Sequence, residues 1–103
     1  MKKTYNKLVR DLIPEIIEKS GKKCSIEILD DEEYIKAIDA KLDEELAEYH
    51  KDQNVEELAD LLEVIYAAAS AHGCSKDELE SIQAAKAQER GTFDKRILLK
   101  EVE

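Results

Sequence analysis

Residues Asp43 to Glu63 read DEELAEYHKDQNVEELADLLE and constrain this chain more than any other stretch. Two acid groups, Glu44-Glu45-x-x-Glu48 and Glu56-Glu57-x-x-Asp60, flank a short polar break. On a helix, residues three or four apart are neighbours, so each group projects at least two carboxylates from one side. Upstream, Ile35, Ile38 and Leu42 set an apolar seam at 3-4 spacing, and Tyr34 and Leu46 widen it. The next seam positions are Glu45 and Tyr49. An ionised carboxylate on a seam is costly unless it is paired or binds a metal. Glu45 is therefore where the helical pattern and the chemistry conflict.

The other elements follow from local signals. Asp11 is a candidate cap for a helix carrying Leu12, Ile13, Ile16 and Ile17, with Pro14 in its first turn and Ser20-Gly21 as its stop. Residues 22–29 alternate, with Cys24, Ile26 and Ile28 on one side, and read as a short strand or extended segment. A second helix opens at Asp30 or Asp31 and yields to a break over His50 to Asn54, where Asp52 or Asn54 can cap the next. The third runs from about Val55 to His72 with two apolar stripes, Leu58/Leu61/Leu62/Ile65/Ala69 and Val64/Ala67/Ala68/Ala71. That pattern predicts burial on most sides, and a domain this small needs a second subunit to provide it, on the Val64/Ala67/Ala68/Ala71 face that points away from the leucines. Gly73 ends the helix, Ser75-x-x-Glu78 is a capping box opening a fourth, Gly91 ends that one, and Phe93 to Val102 form an extended tail.

The expected fold is one domain over residues 1–103. It is mostly α: an antiparallel bundle of about four helices with short extended segments near both termini, assembled as an oligomer. Composition agrees, since 40% of residues are charged, Trp is absent and only three Gly and one Pro interrupt the helices. The net charge is −9, and the acidic excess falls within residues 31–63. A nucleic-acid polymer is an unsuitable partner for such a surface. Cys24 and Cys74 have no CxxC spacing, so neither a zinc site nor a disulfide framework is expected. The start, MKKTYNK, leads into no long apolar segment, so the expectation is no signal peptide, no membrane span and a cytoplasmic location.

A brief connection between the second and third helices makes them antiparallel neighbours and lets the inward acids converge. Carboxylates without convergent Cys or His suit Mg²⁺, with Mn²⁺ as a substitute. Bases gather near both chain ends: Lys7 and Arg10, then Lys86, Arg90, Lys95 and Arg96. Beside an acidic metal site they suit a polyphosphate. The alternative is a non-catalytic helical oligomer or nucleotide-binding module with a solvated acidic face.

EELAE followed by EELAD resembles the EExxE…ExxD signature of the MazG-like, all-α nucleotide pyrophosphohydrolases. KLVRDLIPEII and FDKRILLKEV resemble their small single-domain subgroup, described as phosphoribosyl-ATP pyrophosphohydrolase-like. The resemblance implies a homodimer or homotetramer and Mg²⁺-dependent hydrolysis of a nucleoside triphosphate to the monophosphate and pyrophosphate, in the manner of a house-cleaning enzyme. It implies metal ligation by Glu45, Glu48, Glu57 and Asp60, with Glu44 orienting or deprotonating the attacking water.

Overall fold

The computed structural model of the chain describes residues 3–103; Met1 and Lys2 of the MKKTYNK start lie outside them. Among the described residues there are four α-helices and no strand: α1 (Ile13–Lys19), α2 (Asp31–Asp52), α3 (Val55–Ala71) and α4 (Lys76–Arg90). No helix is long and apolar enough to cross a membrane.

Helix ends follow the chemistry of their caps. The Asp30 carboxylate accepts the Glu33 backbone N–H, and Glu33 reaches back to the Asp30 N–H, closing a capping box on α2. Ser75 and Glu78 do the same for α4. After α3, Cys74 N–H donates to Ala69 O and Gly73 N–H to Ser70 O, with Gly73 at φ +80°. That double closure requires the left-handed conformation glycine adopts most easily.

Asp11, expected to cap α1, does not. Ile13 N–H donates to Arg10 O, so Asp11 and Leu12 form a turn ahead of the helix, and Leu12 holds the N-cap position without a side-chain bond. Residues 22–29 and the tail beyond the Phe93–Arg96 turn carry neither helix nor strand. The alternation in 22–29 meets no ladder partner, and without one a strand has no backbone bonds to hold it.

The break between α2 and α3 is shorter than its composition suggests. Helix α2 continues through His50, Lys51 and Asp52, leaving only Gln53 and Asn54 between the helices. Gln53 takes the left-handed conformation (φ +52°), and its N–H donates to Tyr49 O at 2.7 Å. Asn54 then caps α3, accepting the Glu57 N–H at 2.9 Å. So tight a link folds α2 and α3 into an antiparallel hairpin, and α3 packs on α2 and, less extensively, on α4. Helix α1 packs on none of the other three.

The core is small. Ile38 is the one fully buried apolar side chain among the described residues, at 2% exposure. Helix α3 does not orient as its pattern predicts. Val64, Ala67, Ala68 and Ala71 are half-buried, while Leu58, Leu62 and Ile65 are 42%, 45% and 38% exposed. Leu61 and Ala69 are half-buried as well, so the Val64/Ala67/Ala68/Ala71 stripe and one edge of the leucine stripe share the intramolecular packing, and Leu58, Leu62 and Ile65 turn outward. The radius of gyration is 17.9 Å, against about 13 Å for a compact 100-residue domain.

Ile38→Ala should cost about 2–5 kcal/mol, as for a fully buried aliphatic side chain. Ser75→Ala, which removes one cap, should cost about 1 kcal/mol. Urea unfolding of both variants checks that ordering; a smaller loss for Ile38→Ala would mean the core lies elsewhere.

Candidate functional site

The two-residue link sets the last turns of α2 against the first turns of α3. Glu45, Glu57 and Asp60 each bring a carboxylate oxygen within 4.8 Å of the others, and Glu48, Asp52 and Glu57 do the same. Glu57 belongs to both groups, so all four acids expected as ligands meet at one end of the hairpin. Asp52 is a fifth member that sequence reading assigned only to capping. Its signal was the 48/52 spacing, one helical turn, which applies once α2 is known to run through Asp52.

The site's charges leave their mark on ionisation. Loss of hydration, then the charges of Asp52 and Asp60, push the Glu57 carboxyl above its ordinary value. Partial burial alone would raise Glu44 too. Hydrogen bonds from Lys7 and Lys41, with their charges, outweigh it and hold Glu44 below the usual range. Lys41 bridges Glu44 at 3.2 Å and Glu45 at 3.5 Å. It is how the chain accommodates Glu45 on the seam, and the 41/44 and 41/45 spacings were its signal in the sequence. The hydrogen bond from the Lys7 ammonium to Glu44, 3.1 Å long, raises Lys7 in turn.

The bases divide into two sets. Lys7 pairs with Glu44, and Arg10 donates to Asp60 at 2.8 Å, so both lie at the acids. Lys86, Arg90, Lys95 and Arg96 make no ion pair with them among the described residues. Lys86 and Arg90 lie on α4, which meets α3 but not α2, while Lys95 and Arg96 lie beyond its end; Arg90 and Lys95 line a shallow concavity with Thr92, Asp94 and Ile97. A second concavity, bounded by Tyr34, Ile35 and Ala71, sits at the opposite end of the hairpin from the acids.

The donor set fits a hard divalent cation. Around an octahedral ion with oxygens at about 2.1 Å, neighbouring oxygens lie about 3 Å apart and opposite ones about 4.2 Å. A 4.8 Å spread is within a small side-chain adjustment of that.

No family model matches the chain, and no solved structure matches it. A protein of Mycolicibacterium smegmatis, described as uncharacterized, is 61% identical over 41 residues, a stretch covering 40% of this chain and 42% of that protein.

Because Glu57 binds its proton more tightly in the folded chain, stability should fall as pH rises through the upper carboxylate range. Glu57→Gln should raise the Tm at pH 7 in chelator and flatten that slope. A lower Tm for the variant would show that the carboxylate is compensated within the chain.

Proposed function

We propose that this chain is a Mg²⁺-dependent nucleoside triphosphate pyrophosphohydrolase of the MazG-like kind, working as a homo-oligomer. The observation that carries the reading is the convergence of Glu45, Glu48, Glu57 and Asp60 from two helices onto one end of the hairpin. A solvated acidic face would not need them together.

When bound, Mg²⁺ or Mn²⁺ would neutralise phosphate oxygens and lower the pKa of a coordinated water. Glu45, Glu48, Glu57 and Asp60 would hold the metal. Glu44 sits outside both of the spatially convergent carboxylate sets, and two ammonium groups hold its carboxyl below its ordinary value. A carboxylate with a lowered pKa is a weak proton acceptor, so its role is to orient the water rather than deprotonate it. In the reaction, the water oxygen bonds to the α phosphorus, the water's proton passes to solvent, the bond from that phosphorus to the bridging oxygen breaks, and pyrophosphate leaves with the electron pair of that bond.

The acids repel a triphosphate, so cations must face them across it. Arg10 and Lys7, paired with Asp60 and Glu44 at the acids, support that role; Lys86, Arg90, Lys95 and Arg96 would come from a neighbouring chain. Exposed area supports assembly. The chain exposes 9609 Å², whereas a compact monomer of its mass exposes roughly 5,900 Å². Leu58, Leu62 and Ile65 form an outward apolar stripe beside the site, in place of the Ala68 face that the sequence pattern favoured.

A panel of nucleoside triphosphates assayed with Mg²⁺ and with chelator tests the activity. Monophosphate and pyrophosphate should appear only with Mg²⁺, and hydrolysis in ¹⁸O-water should place the label in the monophosphate. Orthophosphate as the primary product would defeat the assignment. Glu48→Gln should abolish turnover with the helical circular dichroism unchanged. Leu62→Glu should shift light scattering toward the monomer, because the stripe would then bury an unpaired charge; a monomeric unmodified chain would remove the assembly.

A further inference from the structure

The segment from Lys3 to Leu12 has no helix or strand, yet it is tied to the rest of the chain at two defined points. Asn6 takes a left-handed conformation (φ +46°) immediately before Lys7. Lys7 then reaches Glu44 on α2, and Arg10 reaches Asp60 on α3. Helix α1, which follows, packs on no other helix. Two half-exposed ion pairs are therefore prominent among the contacts holding this segment to the hairpin, and exposed pairs are individually weak.

The two anchors differ in kind. Glu44 belongs to neither convergent carboxylate set, whereas Asp60 is one of the carboxylates brought together with Glu45 and Glu57. Arg10 therefore takes the same carboxylate that a divalent cation would need. A guanidinium fork also fits a phosphate as well as it fits a carboxylate.

We propose that Lys7–Arg10 is a counter-ion strap. Arg10 competes with the divalent cation for Asp60; cation loading releases it, and the freed guanidinium passes to the phosphates of the nucleotide. Lys7 stays on Glu44 and keeps the strap beside the site. The strap rests on the metal-site reading above and adds an order of events: cation first, phosphate contact second. It also makes Arg10 opposed in its two effects, weakening the cation and strengthening the nucleotide.

The test is Mn²⁺ binding to the full chain without nucleotide, followed by the electron paramagnetic resonance of free Mn²⁺. Arg10→Ala should bind Mn²⁺ about two- to fivefold tighter, the range expected from losing one exposed competing pair. With Mn²⁺ saturating, the same variant should bind an α,β-methylene nucleoside triphosphate on the order of tenfold more weakly, as for a lost charge-assisted contact. Arg10→Lys, which keeps the charge but not the fork, should leave Mn²⁺ affinity near that of the unmodified chain and still weaken the analogue. Asp60→Asn separates the two readings. If it impairs Mn²⁺ binding while Arg10→Ala changes nothing, the metal site stands and the strap is overturned. Tighter Mn²⁺ with unchanged analogue affinity would overturn the handover to phosphate. No Mn²⁺ binding by the unmodified chain or by Arg10→Ala would overturn the metal site and the strap with it.

Discussion

Mutual repulsion among Glu45, Glu48, Asp52, Glu57 and Asp60 is the constraint around which this structure is arranged. Glu57 lies in both convergent groups, and loss of hydration, then the charges of Asp52 and Asp60, push its carboxyl above its ordinary value. Like charges so close are unfavourable unless cations lie among them. The chain supplies three: Lys41 from one turn earlier on α2, and Lys7 and Arg10 from the amino-terminal segment. These engage Glu44, Glu45 and Asp60, while Glu48, Asp52 and Glu57 have no such partner among the described residues. The uncompensated part of the cluster is where a hard divalent cation would add most.

The same constraint explains why the hairpin link is short. Gln53 and Asn54 reverse the chain with one left-handed residue and one side-chain cap, which holds the α2 end and the α3 start together. A longer loop would let the like-charged ends separate. Packing makes the opposite trade. Alanines bring α3 close to its neighbours, and the larger Leu58, Leu62 and Ile65 are left outside. Among the described residues Ile38 alone is fully buried, so the chain relies on few apolar contacts of its own and leaves many large apolar side chains exposed.

Much of this was legible in the sequence, and the reasons are local. The Ser75/Glu78 box, the start at Asp30 or Asp31, the cap at Asp52 or Asn54, Gly73 and Gly91 marked helix boundaries through hydrogen bonds that reach only three to five residues. The 3-4 spacing placed Glu45 on the seam, and the helical spacing of the acids anticipated their convergence. What was missed depends on longer-range geometry or on competition between similar signals. Asp52 could end a helix or cap the next, and only the observed length of α2 puts it among the acids. Helix α3 carried two apolar stripes, and hydrophobicity alone does not say which side chains a neighbour will cover; Leu61 is half-buried, while Leu58, Leu62 and Ile65 are exposed. The pairing of Arg10 with Asp60 spans 50 residues, and no spacing rule reaches that far.

Substoichiometric Mn²⁺ titrated into the ¹⁵N-labelled chain, with amide line broadening mapped by residue, tests the central claim most directly. Paramagnetic broadening falls steeply with distance from the ion, so it locates the site without reference to activity. The account predicts early loss of the amides around Glu45, Glu48, Asp52, Glu57 and Asp60, with Arg10 among them. The first turns of α2 and α4, which are also acidic, should keep their signals. Broadening that begins at Asp31–Glu33 or Asp77–Glu78, or that follows surface carboxylates evenly along the chain, would contradict it.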